Sequence, residues 1–397
     1  MSPKRRHLET AIAVVFTVLI VVVGGTVIYL LASRNPVHTD RAAVPSRVAT
    51  ADQTAAAGPI EQSRSLALAL VVGQDLPALS VAVAKGGTIR WAEGFGYSRL
   101  EPRVAVTPDT RFRTGSVSKT MTATALALLH QRGLLNLDAP VQTYVPAYPK
   151  RAWTITPRQL MGDVAGVHRI RGDNNDNAPR GYCRSLDDAL KTFDREPILF
   201  EPGTQYRYST YGWILLSAVI EGAAKEPFSA FVSREVLTPL GMDRTSLEGE
   251  EDADDVAFYA RKESFGFYLG AQDAADESYS CFYGAGGFLS TPSDLVRLGS
   301  AMLSPGVLSK ETIALLQTPL RLKSGTSTGF ALGWKVDTVP LSGRPVRVVR
   351  HRAMFFGGAA TLTIVPDVGL VVAAMTNTQD TQHVDPFALQ VAEAFAR

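Results

Sequence analysis

Ser116 and Lys119 are three residues apart in RTGSVSKT, residues 113–120, which precedes a run of good helix formers. A helix that begins at or just before Ser116 places Lys119 one turn further on the same face, so its amine reaches the serine hydroxyl. In a desolvated cleft the pKa of a lysine falls, and the neutral amine can then accept the proton of a nucleophilic serine. Alternatively, Ser116 or Ser118 caps the helix and Lys119 is solvated. Taken alone, these positions favour the second interpretation.

A second candidate is Tyr208 in FEPGTQYRYSTYGWILLSAVIEG, residues 200–222, where it lies just ahead of an apolar stretch with helical spacing. A buried tyrosine beside a lysine can titrate low enough to relay protons to a serine or a leaving group. The alternative is a structural aromatic cluster of Tyr206, Tyr208, Tyr211 and Trp213. In isolation this pattern favours the structural cluster.

Strand-like runs occupy both ends of the chain after residue 59, and helical patterns fill its middle. Two runs around Lys85, Gly86 and Gly87 predict a β-hairpin, and three further strands are predicted in VRVVRHRAMFF and ATLTIVPDVGLVVAAMTN. The last 13 residues, DPFALQVAEAFAR, predict an amphipathic helix. RIRGDNNDNAPRGY, residues 169–182, is predicted to be an irregular loop.

This distribution predicts an α/β (α+β) fold, in which one antiparallel sheet is built from the N- and C-terminal parts and flanked by helices. The middle of the chain forms an inserted, mainly helical subdomain. We expect a ligand cleft between the two parts, where sites commonly form.

The composition is that of a globular protein, with 46% hydrophobic and 20% charged residues and a formal net charge of +2. No block dense in Lys and Arg occurs in the globular part, so no nucleic-acid partner is indicated. The spacing of His and Cys does not fit a metal site, and we expect neither a metal nor another cofactor. Cys183 and Cys281 either form a disulfide or remain two buried thiols, and the thiols are the favoured expectation.

Residues 11–32, AIAVVFTVLIVVVGGTVIYLLA, contain no charge and are long enough to cross a bilayer as a helix. The length of this run favours an uncleaved signal anchor over a cleaved signal peptide. KRR at residues 4–6 favours a cytoplasmic N-terminus, residues 1–10. The resulting prediction is a single-pass protein of the cell (inner) membrane with an extracytoplasmic, periplasmic domain. Residues 33–58 are predicted to be a linker, and residues 59–397 form the domain.

Three short motifs occur in one order: Ser116-x-x-Lys119, Tyr208-Ser209-Thr210, and His351 on a late strand. These motifs and their order along the chain resemble the active-site motifs of the serine beta-lactamase and penicillin-binding-protein superfamily, in particular its class C-like branch. Within that branch the chain is similar to the mitochondrial-type serine beta-lactamase-like proteins and their bacterial relatives. The resemblance extends from about residue 59 to the C-terminus through LSVAVAKGGTIRWAEGFGYS, LLNLDAPVQTYVPAYP, ILFEPGTQYRYSTYGW and GAGGFLSTPSDLVRLGSAML.

The resemblance implies a role for each matching residue. Ser116 would be the nucleophile that accepts the acyl group, Lys119 its activating partner, and Tyr208 the second base and proton relay. Thr210 stands where many relatives have Asn in contact with substrate. The oxyanion hole would be the backbone N–H groups of Ser116 and Met354.

The chain departs from the family pattern on the late strand, where His351-Arg352-Ala353 replaces Lys or His, then Thr or Ser, then Gly. The hydroxyl that would hold a substrate carboxylate is absent, and Ala353 adds a methyl group where substrate approaches the backbone. Alternation along the strand places His351 and Ala353 on one face, together with Phe355, and Arg352 on the other. In LMGDVAGV, residues 160–167, Asp163 replaces a His of the relatives.

These observations predict a membrane-anchored serine hydrolase that forms an acyl-enzyme on Ser116 and acts on a small-molecule or peptide substrate. The altered strand motif favours peptidase or esterase activity over efficient beta-lactamase activity. The alternative is a catalytically weak, penicillin-binding-like scaffolding or filament-forming module at the membrane, for which we expect a homo-oligomer.

Overall fold

The computed structural model describes residues 3–52, 57–169, 182–249, 255–265, 267–274, 278–379 and 382–396. Most of the loop predicted at residues 169–182 lies outside these ranges, as do the first two residues of the predicted cytoplasmic segment.

The strands are β1 (Ser46–Ala51), β2 (Ala78–Lys85), β3 (Thr88–Leu100), β4 (Arg103–Ala105), β5 (Phe112–Arg113), β6 (Ser246–Leu247), β7 (Tyr259–Ser264), β8 (Phe267–Asp273), β9 (Phe288–Ser290), β10 (Lys335–Leu341), β11 (Arg344–Phe355), β12 (Gly358–Val365) and β13 (Leu370–Thr376). The α-helices are α1 (Pro3–Ser33), α2 (Ala57–Gln74), α3 (Ser118–Gln131), α4 (Pro157–Met161), α5 (Leu186–Lys191), α6 (Thr210–Ala224), α7 (Phe228–Val232), α8 (Pro292–Ala301), α9 (Lys310–Gln317) and α10 (Val384–Ala396).

The central sheet has eight strands. Seven of them follow the order β1-β3-β2-β13-β12-β11-β10, and the eighth, β4, pairs with the C-terminal end of β3. Every pairing within it is antiparallel. The N- and C-terminal contributions meet where β2 pairs with β13, with Ala82 opposite Ala373. The predicted sheet built from both ends of the chain is therefore confirmed.

Both faces of the sheet are covered, which explains the near-continuous apolar runs of β2, β12 and β13. On one face α2 and α10 pack together over a core that includes Trp91, Phe95 and Phe387. On the other face α8 crosses β2 and β13, and the larger core continues into the helical subdomain around α3 and α6. The site lies where this subdomain meets the sheet.

The predicted linker is wrong in its second half, because residues 46–51 form β1 and pair with β3 at the edge of the sheet. Most side chains of β1 are exposed, so no apolar periodicity marks this strand in the sequence. Its position depends on main-chain hydrogen bonds to β3, which any side chain permits. Asp75 fixes the chain further upstream by accepting the backbone N–H groups of Val37 (3.1 Å) and His38 (2.8 Å).

The expectation of unpaired thiols is also wrong: Cys183 and Cys281 form a disulfide across 98 residues of sequence. Folding brings the segment before α5 next to a 3₁₀ helix at Ser280–Ala285, and the Cys183 N–H donates to Ser280 Oγ over 3.1 Å. This proximity is tertiary, so the count and spacing of cysteines could not reveal it.

α1 projects from the domain with nearly all its described side chains exposed. Residues Glu9–Ser33 are long and apolar enough to cross a membrane, by length and composition. This segment includes the predicted span at residues 11–32.

Candidate active site

Ser116 lies in a 3₁₀ helix, Gly115–Val117, that leads from the short strand β5 into α3. Gly115 has φ +48°, and a Cβ atom there would lie 2.2 Å from Cδ1 of Phe355, so only glycine fits beside this ring. Ser116 does not cap the helix, since Val117 occupies the N-cap position without a side-chain hydrogen bond. The helix-cap interpretation of RTGSVSKT is therefore wrong.

The structure brings Ser116, Lys119 and Tyr208 together, although Tyr208 is 92 residues away in sequence. The Lys119 Nζ lies 3.1 Å from the Ser116 Oγ, one helical turn away as the spacing predicts. The Tyr208 Oη lies 2.6 Å from the same Oγ. The Ala285 carbonyl accepts a hydrogen bond from Lys119 Nζ over 2.5 Å and fixes the direction of the amine.

Burial lowers the pKa of the Lys119 amine, which is fully enclosed, and the nearby Asp163 carboxylate opposes this by favouring the charged form. The Arg169 guanidinium lowers the pKa of Lys119 further. Desolvation penalises the ammonium form most strongly, so the neutral amine that a general base requires becomes accessible.

Tyr208 differs from the expectation of a low-titrating phenol, because burial raises its pKa above the usual value. The hydrogen bond with Ser116 lowers the pKa only in part, and the negative charge of Asp163 raises it. The phenol is therefore neutral at physiological pH, so in any proton transfer it would act as a donor first.

The sequence marked Asp163 only as a departure from the family pattern, but the structure gives it a buried position behind the site. Asp163 follows α4 with φ +57°, and its Oδ1 accepts the Ser209 N–H (3.1 Å) and the Trp213 Nε1–H (3.3 Å). Its carbonyl accepts the Arg207 N–H over 2.8 Å. Asp163 thus holds the loop on both sides of Tyr208.

On β11 the predicted alternation is confirmed: His351 and Ala353 are buried, and Arg352 is exposed. The Nδ1 of His351 lies 2.8 Å from the Gly333 carbonyl, which can only accept, so Nδ1 carries the proton. Burial lowers the pKa of His351 to about 3, and the charge of Lys119 acts in the same direction. His351 is therefore neutral and offers no positive charge to a substrate carboxylate.

The open edge of β11 faces the cleft. β10 pairs with β11 only as far as Arg350, and a two-residue turn connects Phe355 to Gly358 on β12. Such a turn makes Phe355 and Gly358 a hydrogen-bonded pair, so the next pair, Met354 and Ala359, is non-hydrogen-bonded. The Met354 N–H therefore points away from β12, toward the open edge.

A cavity of about 480 Å³ surrounds this edge, and its wall includes Ser116, Arg169, Tyr208, His351, Ala353 and Met354. Phe355 packs against Gly115 beside it, and Tyr279 meets this ring edge-on at 6.1 Å.

Thr210 is not in the wall of this cavity. It is buried as the first residue of α6, and its N–H donates to the Arg169 carbonyl over 3.0 Å. The structure therefore places Thr210 beside the site but does not bring it into the cavity wall with Ser116 and Tyr208.

Comparison with known proteins agrees with this architecture. The sequence model of the family described as Beta-lactamase matches residues 54–395. The mouse serine beta-lactamase-like protein LACTB, mitochondrial, is 26% identical over 85% of this chain and 80% of its own length. A penicillin-binding protein of Bacillus subtilis (strain 168) is 24% identical over 79% of this chain and 71% of its own.

Among solved structures, the octameric penicillin-binding protein homologue from Pyrococcus abyssi superposes with a TM-score of 0.70 at 22% identity, covering 85% of this chain and 77% of that one. This likeness concerns the fold. The family match spans nearly the whole domain, and with it the motifs that carry Ser116, Tyr208 and His351. The chain therefore belongs to the beta-lactamase family, within the superfamily of serine beta-lactamases and penicillin-binding proteins.

Proposed function

We propose that this protein is a membrane-anchored serine hydrolase that forms an acyl-enzyme on Ser116. The observation that carries the proposal is the enclosed Lys119 amine, 3.1 Å from the Ser116 hydroxyl, with Tyr208 bonded to the same oxygen. A surface lysine would stay charged, whereas an amine with a lowered pKa can act as a base.

In the acylation step, neutral Lys119 accepts the Ser116 proton while Oγ attacks the substrate carbonyl carbon. The backbone N–H groups of Ser116 and Met354 stabilise the oxyanion, which is the role that the open edge of β11 suits. As the tetrahedral intermediate collapses, Tyr208 donates its proton to the leaving group and regains one from the Lys119 ammonium. Water then attacks the carbonyl carbon of the acyl-enzyme ester while the same groups transfer protons in the reverse order, and Ser116 recovers its proton.

The substrate is a small molecule or peptide with an amide or ester carbonyl, and we place peptidase or esterase activity above beta-lactamase activity. The neutral His351 and the methyl group of Ala353 supply neither charge nor hydroxyl for a substrate carboxylate. Of the cations in the cavity wall, Arg350 is held between Asp337 (2.7 Å) and Asp385 (2.6 Å), and Lys335 pairs with Asp337 (3.0 Å). Arg169 and Arg352 are exposed cations at this wall, so an anionic substrate group would meet these two rather than His351 or Ala353.

For the cell (inner) membrane we propose a single pass by α1, with the catalytic domain extracytoplasmic and periplasmic. The apolar span at Glu9–Ser33 and the basic residues before it support this orientation. The Cys183–Cys281 disulfide fits the same side, because disulfides persist in oxidising compartments.

A fluorophosphonate probe tests the proposed activity. We expect covalent labelling at Ser116 in the folded protein and loss of labelling in Ser116→Ala. Ser118→Ala is the matched control, because Ser118 lies two residues on and its hydroxyl bonds to Thr114 Oγ1 (2.6 Å). Folded protein without labelling at Ser116 would contradict the proposal.

The second candidate is a catalytically weak, self-assembling module at the membrane. Two observations favour it: Phe355 packs directly on Gly115 beside Ser116, and a structural neighbour is described as octameric. Light scattering of the domain decides this point, since a monomer at high concentration excludes the assembly, and a defined oligomer that resists the probe supports it.

A further inference from the structure

Two phenylalanines project from the tip of the β7–β8 hairpin. Phe265 is 79% exposed and Phe267 is 59% exposed, and Ser264 pairs with Phe267 where the two strands meet. Burial of such a ring is strongly favourable, so two of them on one hairpin indicate a surface that is covered in use.

The chain that leaves α1 joins this hairpin directly. The Asn35 N–H donates to the Leu269 carbonyl over 2.7 Å, and Asn35 forms a parallel β-bridge with Gly270. The contact is close: a Cβ atom on Gly270 would lie 2.5 Å from the Asn35 carbonyl oxygen. Tyr268 strengthens the junction, because its Oη lies 3.0 Å from the Asp75 carboxylate that also binds the N–H groups of Val37 and His38.

The parallel direction of the bridge sets the orientation of the tip. Ser33, where α1 ends, lies two residues before Asn35. Phe267, at the tip of the hairpin, lies three residues before Gly270. Both offsets point the same way because the segments are parallel. Three strand residues span about 10 Å, so the tip lies on the side from which α1 emerges.

The last turn of α1 supports this arrangement independently. Leu30 is only 7% exposed, whereas its neighbour Leu31 is 69% exposed, and α1 contacts β8. The helix therefore leaves the domain alongside the hairpin.

From this geometry we infer that the β7–β8 hairpin is a second membrane contact, whose tip enters the headgroup region of the leaflet from which α1 emerges. The occupant of this surface is the phospholipid bilayer. Phe265 and Phe267 supply the apolar contact with the headgroup region. This inference rests on the proposed anchoring by α1.

The test uses the full chain reconstituted into phosphatidylcholine vesicles with brominated acyl chains, which quench tryptophans that contact them. F265W and F267W each place a probe at the tip, and quenching of wild type is subtracted as background. L134W is the matched control, because Leu134 is also exposed (53%) but lies in the helical subdomain beyond the end of α3.

We expect the tip probes to be quenched at least about twofold more than L134W, as for a side chain within the headgroup and acyl boundary. Alkaline carbonate extraction of the wild type is measured in parallel. Retention in the membrane with quenching of F265W or F267W supports the inference. Retention with both tip probes no more quenched than L134W overturns the hairpin contact alone, and release by carbonate overturns the anchoring and the hairpin contact together.

Discussion

The Oη of Tyr208 and the Nζ of Lys119 converge on one atom, the Oγ of Ser116, from which they lie 2.6 and 3.1 Å respectively. One oxygen thus has a neutral phenol on one side and a desolvated amine on the other. This arrangement is suited to dividing the two proposed proton-transfer roles between two groups, because burial shifts the pKa of the amine down and that of the phenol up.

Replacing Lys119 removes the proposed base. We expect Lys119→Ala to slow acylation of Ser116 by about 10²–10⁴-fold, the usual contribution of a positioned acid or base. The measurement is the rate of covalent labelling in a time course. Lys191→Ala serves as control, since Lys191 is exposed and forms an ion pair with Asp187 on the surface. An unchanged labelling rate in Lys119→Ala would exclude the amine as base.

Replacing Tyr208 by phenylalanine keeps the ring and removes the hydroxyl bonded to Ser116. We expect turnover of an ester substrate to fall by about 10²-fold or more, because the leaving group loses its proton donor. The matched variant is Tyr206→Phe, whose ring stacks on Phe330 at 4.8 Å and is retained. Equal turnover in both variants would remove Tyr208 from the proton path.

The pH dependence follows from the direction of the Lys119 shift. The amine must be neutral to act, so activity falls as pH decreases through its pKa, and this acidic limb lies well below the usual lysine value of about 10.4. Burial raises the pKa of Asp163 itself to about 7, and its ionised carboxylate in turn raises the pKa of Lys119, so Asp163→Asn should move the limb to lower pH. The limb is read from kcat/KM against pH. A shift toward higher pH would contradict the coupling.

The strand motif can be altered toward that of the relatives. Arg352 is exposed and also borders the cavity, so in Arg352→Thr combined with Ala353→Gly a hydroxyl becomes available there, and the methyl group beside Phe355 is removed. We expect acylation by a beta-lactam to rise by about tenfold, since a site that hydrogen-bonds a substrate group discriminates strongly for it. The single variant Arg352→Ala separates this effect from loss of the arginine. If Arg352→Ala is acylated by the beta-lactam as fast as the double variant, the hydroxyl is not responsible for the gain.

The disulfide gives a stability prediction. Cys183 and Cys281 close a loop of 98 residues, so Cys183→Ser with Cys281→Ser should lower the free energy of unfolding by about 2–4 kcal/mol. Denaturant titration with and without reductant measures this. Reductant should destabilise the wild type and leave the double variant unchanged. A wild type insensitive to reductant, with a verified open disulfide, would refute it.

Much of the fold is legible in the sequence because its strands carry their own signal. The apolar runs of β2 and β13 and the glycines between β2 and β3 predict strands and a hairpin. β1 has no such signal, since its exposed side chains leave the main chain as the determinant. The turn at Ser116 likewise places Lys119, because an i to i+3 relationship within a helix is local.

The remainder of the site depends on contacts between distant segments. Asp163 accepts hydrogen bonds from Ser209 and Trp213 only when α4 and the loop before α6 come together. The local sequence at residues 160–167 does not predict a buried carboxylate. The raised pKa of Tyr208 has the same origin, because it depends on how completely the subdomain excludes water there. Thr210 matches a family motif by position, but as the first residue of α6 it is buried in the protein.

The segment between α1 and α2 has one further consequence. Residues 35–51 are attached to the domain by Asp75, by the bridge at Asn35 and by the pairing of β1 with β3. In a chain anchored by α1, these residues therefore do not act as a flexible linker between the bilayer and the cavity. A flexible linker of 17 residues would instead let the cavity take many distances from the membrane surface. Under the proposed anchoring by α1, this attachment holds Ser116 at one height above the lipids, so the cavity meets substrates within a single layer of the compartment.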